Sequence, residues 1–169
     1  YNINLKANYY GMITFLPDDY EDLFNESNKS NQPENFEFLY TITQNVFEEL
    51  ALSKGRGYLM EINGLFVGLV CFSEASQQAC ETELLSICNK INDFINEYFN
   101  ASLTAAVSEI LSNVIDIPVL YQQTLDTLEF NDVIKTGDIL IYKDYFVTHS
   151  HEKSDLLNAE FELFFLLRS

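Results

Sequence analysis

The sequence predicts an α+β domain: a mixed, mainly antiparallel central sheet flanked by helices, in the order βααββαβαβ, with a further helix at the C-terminal end. Three observations predict it. Two β-rich runs, Tyr58 to Ile62 and Leu65 to Phe72, are separated only by Asn63-Gly64, the pair best suited to the positive φ values of a two-residue hairpin turn. Apolar residues recur at three and four in two long stretches, the mark of helices with one buried face. Short β-rich segments alternate with those helices, which places the strands in one sheet with helices packed on it.

Taken in order, Tyr9 to Leu16 is rich in β-formers and reads as a strand stopped by Pro17. The acidic stretch Asp18 to Glu26 suits a short helix, because carboxylates in a first turn complement the helix dipole. Asn25 to Asn35 reads as a loop. From Phe36 the stripe Phe36, Leu39, Ile42, Val46 and Leu50 defines a helix to about Ser53, stopped by Gly55 and Gly57. The hairpin follows, and its second strand, apolar on both faces, belongs in the interior of the sheet. A long helix is expected over about Ser76 to Phe99, with Cys80, Leu84, Ile87, Cys88, Ile91, Ile95 and Tyr98 inward. Ala101 to Ser108 is the next strand. Asp116 and Pro118 start a helix to about Phe130 that carries Leu120, Tyr121, Thr124, Leu125 and Leu128. Asp132 to Gly137 closes it, Ile139 to Tyr142 is a short strand, and Glu152 to Leu167 forms the terminal helix.

At 169 residues the chain suits a single core. Its 26 acidic against 9 basic residues give a net charge of -17, which repels a phosphate backbone, and no basic stripe offsets that field. Lys54 and Arg56 read as exposed charges at a helix end. No apolar run is long enough to span a bilayer and no signal peptide is evident, so a soluble, cytoplasmic fragment without membrane contact is expected. The start at Tyr1 and the apolar end suggest a piece of something longer. Cys71, Cys80 and Cys88 have no CxxC spacing, which argues against a disulfide framework or structural zinc; Cys80 and Cys88 share a helix face with Leu84 and read as core.

The hairpin segment Tyr58 to Phe72, the long helix, the following strand, Tyr121-Gln122-Gln123-Thr124-Leu125 and Gly137-Asp138-Ile139-Leu140-Ile141-Tyr142 resemble the diguanylate cyclase (GGDEF) fold over about Tyr9 to Asp144. They are similar in particular to the degenerate form found inside AraC-type bacterial regulators. The resemblance implies a nucleotide-cyclase-like sheet whose hairpin turn, Gly-Gly-Asp-Glu-Phe in active relatives, supplies carboxylates to a divalent metal beside the triphosphate. Here the matching positions are Ile62, Asn63, Gly64, Leu65 and Phe66, without a carboxylate. The family's other metal-binding aspartate lies near the end of the first strand, where Phe15 and Leu16 stand, with Asp18 and Asp19 beyond Pro17. The family's inhibitory Arg-x-x-Asp also fails, since Arg56 is followed by Gly57, Tyr58 and Leu59.

Other constellations carry less. His149-x-His151 with Glu152 and Asp155 reads as an exposed linker rather than a metal site, and the cluster Asp18, Asp19, Glu21, Asp22 as a solvated helix start rather than the metal site of an enzyme. The six glycines form no phosphate loop, and no G-x-S-x-G motif occurs. Tyr9, Tyr10, Tyr20 and Tyr40 are candidates to line an interface or pocket. Leu156, Leu157, Phe161, Phe164 and Phe165 make the terminal helix too apolar to stand alone and mark it as a candidate interface. The expectation is a non-catalytic signalling and dimerisation domain over residues 1–145, with a linker helix over 146–169 leading to a DNA-binding region outside this sequence. No cofactor and no metal are expected. A homodimer is the expected partner state, DNA contact comes only through the missing helix-turn-helix region, and the regulator is of AraC type or part of a two-component system. The alternative is a small-molecule sensor using a vestigial nucleotide cleft.

Overall fold

A computed structural model describes residues 2–18, 20, 32–129 and 137–144. The expected helix at Asp18 to Glu26, most of the loop to Asn35, the close at Asp132 to Gly137 and everything from 145 onward, including the linker segment, lie outside the described residues, apart from Asp18, Tyr20 and Gly137.

The described elements are β1 (Tyr9–Asp18), α1 (Gln32–Leu52), β2 (Gly55–Ile62), β3 (Leu65–Phe72), α2 (Gln77–Phe99), β4 (Ser102–Val107), α3 (Ile117–Glu129) and β5 (Ile139–Ile141). They form one five-stranded sheet in the order β2-β3-β1-β4-β5. Pairings β2–β3, β3–β1 and β1–β4 are antiparallel and β4–β5 is parallel, so the sheet is mixed and mainly antiparallel. The β1-α1-β2-β3-α2-β4 order, with β3 inserted between β1 and β2, is a split βαβ arrangement.

Alternation of side chains sorts the strands onto two faces. Ile13 and Phe15 of β1, Phe66, Val70 and Phe72 of β3, and Leu103, Ala105 and Val107 of β4 form the main core with α1 and α2. Tyr10 and Met12 of β1 and Val67 and Cys71 of β3 point the other way, toward Leu120 of α3 and the N-terminal Leu5 and Ala7. With both faces covered, β3 is apolar throughout, as the interior placement of Leu65 to Phe72 requires.

Two boundaries differ from expectation. Pro17 does not stop β1: by that point the strand has passed the end of its pairing with β3 at Phe15↔Phe66 and is bonded only to β4, through Pro17↔Leu103. A residue lacking an N–H is tolerated where one side is unpaired. The helix α1 begins at Gln32 rather than Phe36, because a first turn has N–H groups with no helical acceptor and so accepts Pro33, and Glu34 complements its dipole. Its fully buried line is Leu39, Thr43, Phe47 and Ala51, with Phe36, Ile42, Val46 and Leu50 half-buried beside it.

The ends of α2 are set by local chemistry. The Ser76 hydroxyl accepts the Ala79 amide at 3.3 Å, and Asn100 ends the helix in the left-handed conformation with φ 43°. Its inner face is as expected from Cys80 to Ile95, but Tyr98 is 65 % exposed and packs on Phe94 at 5.1 Å, while Asn92 is buried. A 3-10 turn, Val114–Asp116, capped by the Asn113 side chain, leads into α3, which buries Leu120, Gln123, Thr124 and Thr127.

Candidate functional site at the hairpin turn

β2 and β3 are joined by Asn63 and Gly64 alone, with φ of 52° and 81°. Two successive positive values are what a tight hairpin following the natural sheet twist needs. Ile62 pairs with Leu65 to close the turn, and Asn63 and Gly64 are exposed. A Cβ added at Gly64 would meet nothing within 4 Å, so the turn projects into open space.

The turn is not free of acidic chemistry. Glu61, one residue ahead of the five positions singled out in the sequence, turns its carboxylate back and accepts the Gly64 amide at 2.6 Å. The signal for this contact is a carboxylate three residues before a tight-turn amide, a local side-chain-to-backbone pattern.

Phe66 is fully buried on the main-core face. Its ring lies 5.2 Å from that of Phe36 and 5.5 Å from that of Tyr40, and the Tyr20 ring meets Phe36 edge-on at 5.8 Å. The Tyr40 hydroxyl donates to the Leu59 carbonyl at 3.3 Å, and Gln44 Nε2 donates to the same carbonyl at 2.9 Å and to the Tyr40 hydroxyl at 3.1 Å. Aromatic side chains thus fill the space between the turn and α1. Burial raises the Tyr40 phenol above its ordinary value, and the carboxylates of Glu48 and Glu61 add to the shift.

Asp18 ends β1 opposite Ser102. The Thr104 hydroxyl donates to Asp18 Oδ2, and the Gly137 amide donates to the Thr104 hydroxyl at 3.2 Å. Strand alternation places Asp18 on the α3 side of the sheet, with Met12 and Thr14, and Leu65 packs against the cluster on that same side. The side chain that shares Asp18's face at the hairpin is therefore an apolar one. Among the described residues, no three His, Cys, Asp or Glu side chains gather where they could hold a metal ion.

The remaining candidates are dispersed. Cys71, Cys80 and Cys88 are unpaired and buried; burial pushes Cys71 and Cys80 up to about 11 and Cys88 to about 12. Lys54 is half-buried and pairs with Glu74 at 3.2 Å, and Arg56 is exposed on β2. Tyr10 is buried and its hydroxyl donates to the Leu5 carbonyl, and Tyr9 packs on the main core. Asp19, Glu21, Asp22, His149, His151, Glu152, Asp155, Leu156, Leu157, Phe161, Phe164 and Phe165 lie outside the described residues.

No family model matches the chain, and no curated protein does. Among solved structures it is similar to the active GGEEF domain of a diguanylate cyclase from Vibrio cholerae. The TM-score is 0.53 at 13% identity, over 79% of this chain and 83% of that one. A likeness at this identity is one of fold: the chain is a mixed α+β domain with the GGDEF-like, nucleotide-cyclase architecture.

Proposed function

We propose that the chain is a non-catalytic signalling and dimerisation domain, a GGDEF-like scaffold without the metal grip of active relatives, acting within a bacterial transcription regulator of AraC type. The observation that carries the non-catalytic reading is the fate of the carboxylates around the turn. Asn63, Gly64 and Leu65 have none, Glu61 is hydrogen-bonded to the turn's own backbone, and Asp18 is held by Thr104 on a face it shares with Leu65. A Mg²⁺ between phosphates needs two or more converging hard oxygen ligands. The regulator context rests on the sequence resemblance alone.

Incubation of the chain with GTP and Mg²⁺ or Mn²⁺, followed by chromatography, tests the first part. Unchanged GTP is expected, and a cyclic dinucleotide overturns the reading. Sedimentation over a wide concentration range tests the second, with a reversible dimer expected and a monomer throughout refuting it. The reading as a ligand sensor through a vestigial nucleotide cleft has less support, since Phe36 and Tyr40 pack on Phe66 beside the turn.

A further inference from the structure

We propose that the groove on the opposite face of the hairpin strands is a binding site for an uncharged lipophilic small molecule, an aliphatic chain or fused-ring compound. This inference does not depend on whether the turn is catalytic. The groove has a volume of about 390 Å³. Met12 of β1 and Val67 of β3 form its floor, Tyr58 and Met60 of β2 one wall, Ile117 of α3 the other, and Ile3 of the N-terminal segment overhangs it. That volume lies within the range of small-molecule sites, which are mostly apolar and concave.

The chemistry of the lining selects the ligand. Among the described residues, no Asp, Glu, Lys, Arg or His lines the groove, in a chain that carries 26 acidic residues. A nucleotide or other anion finds no cation there and meets the repulsive field of the whole molecule. An organic cation finds no carboxylate. A neutral apolar molecule loses nothing on entry and covers Met60 and Ile3, which are 44 % and 53 % exposed.

The overhanging segment is tied to the wall it covers. The Tyr58 hydroxyl accepts the Asn4 amide at 2.8 Å and donates to the Asn4 carbonyl at 3.2 Å, and the Tyr10 hydroxyl donates to the carbonyl of Leu5, another lining residue. The same ring that lines the groove therefore also holds the N-terminal segment.

Nile red, an uncharged dye that fluoresces in apolar surroundings, tests the proposal on the whole 169-residue chain. Saturable binding at one site is expected, displaced by 1-decanol and accompanied by a rise in Tm. Met60→Glu and Ile3→Glu, both at exposed positions, place a carboxylate on the rim and should each weaken the dye about tenfold or more. Tyr98→Glu, on α2 across the sheet, should leave it unchanged. Non-saturable or absent binding, or binding indifferent to Met60→Glu and Ile3→Glu in folded variants, overturns the proposal. So does a dimer that both variants dissolve and that the dye does not, because the groove then belongs to a second copy of the chain.

Discussion

The Thr104 hydroxyl donates to the Asp18 carboxylate while accepting the Gly137 amide, so one buried side chain ties the end of β1 to the residues leading into β5. Thr104→Val keeps the shape and removes both bonds, leaving an amide without its acceptor and a carboxylate short of a donor. The expected loss is about 1 kcal/mol in urea unfolding, the net worth of ordinary hydrogen bonds, because Asp18 and Gly137 are half-exposed and water takes up part of the lost bonding. Thr104→Ser, which keeps the hydroxyl, should recover most of it.

Two glycines of the hairpin unit serve different purposes, and alanine separates them. At Gly64 nothing would touch an added Cβ, but φ is 81°, so Gly64→Ala should cost about 1–2 kcal/mol from backbone strain alone. At Gly68 an added Cβ would lie 2.5 Å from Phe47 Cζ and 3.1 Å from Leu59 Cδ1. Gly68→Ala should therefore cost about 1–3 kcal/mol through overpacking, and Phe47→Leu in the same chain should return part of that loss. No such rescue is expected for Gly64→Ala, and thermal melts of the four variants decide it.

What could be read in the sequence follows the range of the forces involved. The hairpin is legible because Asn63-Gly64 determines it within two residues, and the inner face of α2 because six of its seven expected residues repeat with helical period. Tyr98, the seventh, is apolar enough to be counted but sits where Phe94, not the core, receives its ring. The buried line of α1 is harder: Thr43 is polar, and only its bond to the Leu39 carbonyl at 2.7 Å makes it a core residue. Phe47 is central because Gly57 and Gly68 leave room for its ring, a relation between three elements. For the same reason the strand order, the grip of Thr104 on Asp18 and the groove behind the hairpin are not visible along the chain. At the turn, the lack of carboxylates at Asn63 to Leu65 is plain, whereas the use of Glu61 depends on how the turn closes.

Alkaline pH should weaken the fold through its thiols. Burial raises Cys88 from its ordinary 9.0 to about 12, and Cys71 and Cys80 to about 11. Arg56 offsets part of the effect at Cys71, whereas Glu74 adds to it at Cys80. A raised folded-state value means that the unfolded chain ionises first, so this contribution is intact below about pH 9. It declines as pH rises to about 11 for Cys71 and Cys80 and to about 12 for Cys88. The loss for Cys88 is on the order of a few kcal/mol. Urea midpoints measured from pH 7 upward should fall beyond pH 9, and Cys88→Ala should show a shallower fall from a lower starting stability.

The turn is also connected to α1 by charge, and Tyr40 reports it. Its phenol is raised first by burial, then by Glu48, then by Glu61, whose carboxylate lies on the turn amide. Glu48→Gln removes the larger of the two repulsions and should lower the Tyr40 pKa; Glu61→Gln should lower it less, and the double variant more than either. Glutamine at 61 still offers an oxygen to the Gly64 amide, so the hairpin should persist with a loss of about 1 kcal/mol or less. Carbon-13 NMR titration of the Tyr40 ring carbon bearing the hydroxyl measures the shift directly. An unchanged value in Glu61→Gln means that the carboxylate does not sit over the turn beside α1, and the account of the turn as a site with its acid turned inward fails with it.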